Sequence, residues 1–253
     1  MSTRESPHRE PAHCPADATR WFNRWHVYRA IVDADWMGHR RIFNAIRAWV
    51  LLRHPGPFAL LDLGCGDAGF IEPTFDETGL WFYTGVDASV AALAKAGDEL
   101  AGARFQTRLL EADMLAFLRQ ERAPGAENFD VILASYAVHH LPTLDKREFF
   151  RLAHGKLASG GTLLFADVFT RDGESRDEYL DRYVGMMRQS WTGMPPEALA
   201  STIEHVTHRD FPESAGRVCE MAREAGFHLA PQELFWDGTG FHRLLAFTRI
   251  AAS

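Results

Sequence analysis

Leu61-Asp62-Leu63-Gly64-Cys65-Gly66-Asp67-Ala68-Gly69 is the stretch that decides the fold of this chain. The apolar run Phe58–Leu63 leads into it, and a helix opens after it. Glycines are needed where a chain turns tightly and its backbone must approach a ligand with no Cβ in the way. The next apolar run, Leu80–Val86, ends on Asp87. An ionised carboxylate in that place accepts from both hydroxyls of a ribose. The pair of signals predicts a nucleoside-containing ligand at the carboxyl ends of two strands.

The glycine loop alone does not tell a dinucleotide from other nucleoside cofactors. Three further features do. Asp62 lies two residues before Gly64, which suits a ligand carrying a sulfonium and an ammonium rather than a pyrophosphate seeking helix-terminal N–H groups. Asp62 has a second reading, in which it only orients the loop backbone. Glu111-Ala112-Asp113-Met114 follows a third strand-like run, so Asp113 is placed to accept from an adenine amino group and Met114 to pack on the ring. Asn128–Ser135 forms a fourth run, whose end falls beside the glycine loop at the switch point of the sheet. Asp67 reads as a helix cap and Cys65 as a small filler.

Outward from the loop the pattern alternates. Short apolar runs at Phe58–Leu63, Leu80–Val86, Arg104–Leu110, Phe129–Ala134 and Gly161–Val168 suit strands buried on both faces. Amphipathic stretches at Ala88–Leu100, Met114–Arg122 and Lys146–Leu157 separate them. Gln232–Trp236 and Phe241–Arg249 flank Asp237-Gly238-Thr239-Gly240, a hairpin signal. Pro212 and Gly226 bracket a further helix. The expected fold is α/β: a doubly wound, mostly parallel seven-stranded sheet with a C-terminal antiparallel hairpin and a helical cap. The cap is assembled from a helical stretch over residues 20–53, ended by Pro55-Gly56-Pro57, and from an insertion over residues 169–211 with helices near Glu174–Trp191 and Pro196–Thr207. Residues 1–19 read as a mobile tail, and residues 20–253 as one domain.

The order LDLGCG, GVDAS, EADM, FDVILASYAVHHL, LASGGTLLFADVF resembles the class I, Rossmann-like S-adenosylmethionine-dependent methyltransferases, close to the ubiquinone-biosynthesis-like and small-molecule groups. The resemblance is strong from Phe58 to Val168 and moderate over the C-terminal helix and hairpin. It implies S-adenosylmethionine as cofactor. Gly64 and Gly66 then approach the methionine portion, Asp87 the ribose, Asp113 the adenine and the Ser135 carbonyl the ammonium. Asp62, Cys65, Ala88 and Met114 complete the cofactor set. The implied activity is methyl transfer to a small-molecule acceptor with an oxygen or nitrogen nucleophile. The alternatives are a different reaction on the same cofactor, or a non-catalytic sensor or partner role.

Alignment of acceptor and methyl at roughly 3–3.5 Å carries much of such a reaction. An acceptor hydroxyl or protonated amine also needs a base. His139 and His140 follow the fourth strand and titrate in the right range. They read either as catalytic residues or as a structural turn. Glu204, His205, His208 and Asp210 form a second polar cluster, read as a solvated helix end or as a source of one residue for the site. Trp25, Tyr28, Tyr136, Tyr179, Tyr183 and Trp191 are the candidate substrate residues. The aromatic positions at helical spacing have core packing as their other reading. The helices carrying Trp21–Tyr28 and Tyr179–Trp191 are expected to close over the cofactor. No Asn/Asp-Pro-Pro-Tyr/Phe element follows the fourth strand, where Ser135-Tyr136-Ala137-Val138 stands instead. That argues against adenine-amino methylation in nucleic acid.

The bulk properties agree. A net charge of −7 argues against nucleic acid as the main partner. No apolar run reaches the length of a membrane span, so no membrane partner is expected. Cys14, Cys65 and Cys219 lack metal-ligand spacing, so no metal is expected, and their scatter fits a reducing cytoplasm.

Overall fold

The structure is a computed structural model, and it describes residues 27–121, 128–228 and 230–250. The expected tail, and with it Cys14, Trp21 and Trp25, lies outside the described residues. In chain order, a helical segment α1 over residues 27–33 precedes α2 (His39–Arg53), β1 (Phe58–Leu63), α3 (Ile71–Phe75), β2 (Leu80–Asp87) and α4 (Val90–Glu99). Then come β3 (Gln106–Glu111), α5 (Met114–Arg119), β4 (Phe129–Ser135), a 3₁₀ turn (Val138–His140), α6 (Thr143–Lys156) and β5 (Leu157–Thr170). The chain continues through α7 (Arg176–Ser190), α8 (Pro196–Arg209), β6 (Glu213–Ser214), α9 (Ala215–Glu224), β7 (Gln232–Trp236) and β8 (His242–Thr248).

The strands lie in the order β3-β2-β1-β4-β5-β8-β7. β1 to β5 run parallel, and β8 is antiparallel to both β5 and β7. The order reverses between β1 and β4, which opens a crevice at their carboxyl ends. All six residues of β1 are buried, as a strand with helices on both faces requires. β3 is an edge strand with no fully buried residue, which explains why its run is weak in the sequence. The seven expected strands are all present, and a two-residue β6 is added beside β5.

Two cores flank the sheet. Ile42, Ile46 and Trp49 of α2 pack with Phe58, Leu60 and Tyr83 on one face. Leu115 and Leu118 of α5, Phe149 and Phe150 of α6, and Val218 and Met221 of α9 pack with Leu61 and Phe165 on the other. A third core lies within the cap: Tyr179, Tyr183, Met187 and Trp191 of α7 meet Ile31, Val206 and Phe241.

Two helical readings need correction. Residues 20–53 do not form one continuous stretch, because a turn separates α1 from α2. Asp35 and Gly38 take left-handed backbone there, and the Asp35 carboxylate accepts from Arg40 N at 2.9 Å, capping the new helix. The helix after the cap begins at Ala215 rather than at Pro212. Ser214 caps it by accepting from Arg217 N, and Glu213–Ser214 first pair with β5.

Candidate functional site

A cavity of about 510 Å³ lies at the carboxyl ends of β1, β2, β3 and β4. Gly64 and Gly66 follow β1, Asp87 ends β2, Asp113 and Met114 follow β3, and Ser135 ends β4; all line it, as does Ala88. The loop geometry explains its glycines. Gly64 sits at φ +76 with its missing Cβ site 2.5 Å from Ala137 Cβ, so no side chain fits. Gly66 sits at φ +56, and a Cβ there would meet nothing within 4 Å. The loop therefore leaves space on the cavity side, as an adenosyl cofactor pressed against the backbone requires. Asp87 and Asp113 put two carboxylates on the same cavity, so the residues present fit that group.

Asp87 does more than face the cavity. Its Oδ2 accepts from Gly66 N at 2.9 Å and its Oδ1 from Ser89 N at 2.8 Å. One side chain thus holds the glycine loop against the start of α4, and each oxygen retains a lone pair for a ligand hydroxyl. Asp113 likewise has two tasks, since its Oδ1 caps α5 by accepting from Ala116 N at 2.9 Å.

Asp62 and Cys65 do not line the cavity. Asp62 is buried under the loop and accepts from Tyr83 Oη at 3.0 Å. Burial pushes its carboxyl up to about 7, against the opposing hydrogen bond from Tyr83. Its side-chain partner is thus Tyr83 of β2. Burial pushes the Cys65 thiol up, which suits a filler and not a nucleophile. Asp67 is no simple cap. Its Oδ1 accepts from Gly69 N at 3.2 Å, and its Oδ2 accepts from Arg29 Nη1 at 2.9 Å.

The cavity is also lined by Tyr28 and Ile31 of α1, where Tyr28 is close enough to feel the charges of Asp67, Asp62 and Asp87, and by Ser201, Thr202 and His205 of α8. Tyr136 lines it too, in left-handed backbone at φ +53, with its hydroxyl donating to Met37 O at 2.5 Å. Tyr179, Tyr183 and Trp191 do not reach the cavity. They are buried in the cap core, Tyr179 and Tyr183 stacked 5.3 Å apart and Trp191 on Trp36. α8 lines the cavity where α7 was expected, while α7 buries Tyr179, Leu180, Tyr183 and Met187 in the cap core. Trp25 lies outside the described residues.

The two histidines part company. His140 lines the cavity. His139 is buried behind it, where its Nδ1 lies 2.5 Å from Asp167 Oδ1 and its backbone N donates to Asp167 Oδ2 at 3.0 Å. Although burial opposes its charged form, Asp167 and then Asp210 hold its pKa above the ordinary value. Asp210 therefore joins the site from the end of α8, with His205 one turn earlier. The sequence already groups those two residues. Ser201 and Thr202 carry no sequence signal beyond their place on an amphipathic helix, and Asp167 reads only as part of an apolar strand.

Comparison with known proteins agrees with this layout. Residues 61–163 match the family model described as a methyltransferase domain. An uncharacterized methyltransferase of Geobacillus kaustophilus (strain HTA426) is 31% identical over 116 residues, which are 46% of this chain and 49% of that protein. The chain thus spans about half the length of the curated relative it matches. Among solved structures, magnesium protoporphyrin IX methyltransferase from Synechocystis PCC 6803 with bound SAH superposes with a TM-score of 0.61 at 16% identity, covering 91% of this chain and 95% of that one. N-methyltransferase NodS from Bradyrhizobium japonicum WM9 gives 0.55 at 16% identity, covering 86% and 99%. These likenesses are of fold. With the sequence match over residues 61–163 to the methyltransferase-domain model, they show that the sheet has the Rossmann-like fold of these methyltransferases.

Proposed function

We propose that this protein transfers a methyl group from S-adenosylmethionine to a small, largely apolar acceptor with an oxygen or nitrogen nucleophile. One observation carries the reading: a single cavity is lined both by the glycine loop, Asp87 and Asp113 and by the cap residues Tyr28, Ile31, Thr202 and His205. Its volume is within the ~300–1,000 Å³ of small-molecule sites.

When bound, the cofactor supplies an electrophilic methyl group on a good leaving group. The chain's own residues do the rest. Asp87 and Asp113 are assigned to the ribose and adenine, and Gly66 lets the loop backbone approach. Tyr28 and Ile31 exclude water above the reacting centre, which strengthens every charge interaction inside. His140 and His205 bring imidazoles to the acceptor end. His139 is assigned a positioning role, since Asp167 and Asp210 enclose it.

No helix of the described residues is long and apolar enough to cross a membrane. The net charge of −7 supports a small acceptor over nucleic acid. The test is calorimetry with S-adenosylmethionine and NAD, followed by S-adenosylhomocysteine release with a panel of phenols, carboxylates and amines. Binding of S-adenosylmethionine and turnover of one small acceptor are expected. Tighter binding of NAD, or turnover only with nucleic acid or protein, overturns the reading.

A further inference from the structure

Behind the acceptor end, three imidazoles converge on one carboxylate oxygen. Asp210 Oδ1 lies 3.6 Å from His139 Nε2, 3.3 Å from His140 Nδ1 and 3.9 Å from His205 Nε2. Asp210 is only 4% exposed, and none of these approaches gives its Oδ1 hydrogen-bond geometry. A buried carboxylate oxygen approached by three imidazoles, none of them in hydrogen-bond geometry, is incompletely satisfied.

The ring orientation sharpens the point. Asp167 takes the Nδ1 side of His139 at 2.5 Å, and a carboxylate only accepts. The proton of a neutral His139 therefore sits on Nδ1, and the lone pair of Nε2 points toward Asp210. In that form Nε2, 3.6 Å from Asp210 Oδ1, is the ring atom open to a ligand. The carboxylate–histidine arrangement is also the one that commonly fixes a metal-ligating imidazole.

We infer that His139, His140 and Asp210 form a binding site for a first-row divalent transition ion, of the kind zinc represents, at the acceptor end of the cavity. One ligand atom from each of the three lies within 4.8 Å of the others. The 3.3 and 3.6 Å edges are close to the ~3.4 Å expected between ligands about 2.1 Å from a tetrahedral ion. Two imidazoles and one carboxylate suit such an ion, and a fourth position is left for an exogenous group. Because His140 lines the cavity, that position faces the acceptor; this part of the inference rests on the function proposed above. His140 Nδ1 exchanges its 3.3 Å hydrogen bond to Arg209 O for the ion. The imidazoles then hold a cation beside the acceptor rather than acting as free bases. This replaces the expectation, drawn from cysteine spacing, that the chain binds no metal. Adjacent histidines and an aspartate seventy residues later have no recognisable spacing in sequence.

The experiment is a zinc titration of tag-free, full-length protein stripped with chelator. It is followed by calorimetry and repeated with cobalt for its visible absorption, with and without S-adenosylmethionine. One ion per chain is expected. Asp167→Asn, which touches only the positioning carboxylate, should weaken binding about 10–100-fold. Asp210→Asn and His140→Ala should each weaken it at least as much. His140 is exposed, so its variant keeps the test valid if Asp210→Asn fails to fold. Absence of stoichiometric binding, or equal binding by His140→Ala, overturns the site. So does a nitrogen-15 spectrum showing both His139 nitrogens protonated and unmoved by zinc, since His139 would then be a charged bridge between two carboxylates. None of these readouts needs turnover, so a failure here is distinct from a failure of the methyltransferase reading.

Discussion

Arg29 donates to the Asp67 carboxylate at 2.9 Å, and this contact joins α1 to the glycine loop. Asp67 also accepts from Gly69 N, so the lid and the loop share one side chain. Arg29→Ala is expected to weaken S-adenosylmethionine binding about tenfold, the scale of one partly exposed charge-assisted hydrogen bond. Calorimetry on the folded variant checks this. Unchanged affinity would mean that α1 rests on the site without supporting it.

The two loop glycines should fail in different ways. Gly64→Ala puts a methyl 2.5 Å from Ala137 Cβ at a left-handed backbone position, so a fall in melting temperature is expected. Adding Ala137→Gly should recover part of it. Gly66→Ala projects into open space, so its stability should change little while cofactor affinity falls at least tenfold, if the ligand occupies that space. Equal melting curves for both alanine variants would contradict the loop geometry.

Acid stability should divide among three buried groups. Burial holds His39 at about 3, and His242 at about 4 against the attraction of nearby carboxylates. The unfolded chain protonates both near 6.5, so it binds more protons than the folded chain below that pH, and stability falls as pH drops. Asp62, raised to about 7, acts in the opposite direction, since the folded chain keeps its proton where the unfolded chain has lost it above about 4. Between pH 4 and 6, His39→Phe should therefore flatten the profile by about 1.4 kcal/mol per pH unit, and Asp62→Asn should steepen it similarly. Denaturant melts across that range read both slopes. Parallel profiles for all three proteins would remove these groups from the account.

The cap helices should separate stability from specificity. Tyr183 of α7 is 1% exposed, so Tyr183→Ala should cost about 3–5 kcal/mol. Ser201 of α8 lines the cavity, so Ser201→Leu should alter the KM for the acceptor with little change in cofactor affinity or melting temperature. A loss of acceptor turnover in a Tyr183→Phe variant that keeps its stability would return α7 to the site.

The sheet was legible because each strand carries its own signal. Phe58–Leu63 and Gln232–Trp236 end where the sequence pattern ends, and the turn residues between elements mark their own positions. The strand-end wall of the cavity was legible for the same reason, since Gly64, Gly66, Asp87 and Asp113 lie at strand ends in a fixed order. The acceptor end was not. An aromatic stripe at helical spacing shows that a face is apolar, but not whether core or cavity covers it. Tyr183, a candidate for the substrate, thus lies in the cap core, and Thr202, which the pattern does not single out, lines the cavity. His139 and His140 are neighbours in sequence, yet the 3₁₀ turn sends one into the interior and one to the cavity. Asp67 shows a further limit: its partner Arg29 is 38 residues away, and nothing local announces the pairing.

Phe169 and Thr170 pair directly with Glu213 and Ser214, so the chain leaves β5 and comes back to the same spot after the whole α7–α8 excursion. The excursion is a cassette with abutting ends, inserted into a sheet that closes without it. Its Ser201, Thr202 and His205 line the cavity, whereas the groups proposed for the cofactor all hang from the ends of β1 to β4. A lineage, or an engineer, can therefore graft one continuous piece and exchange the partner molecule while the methyl-donor half stays as inherited.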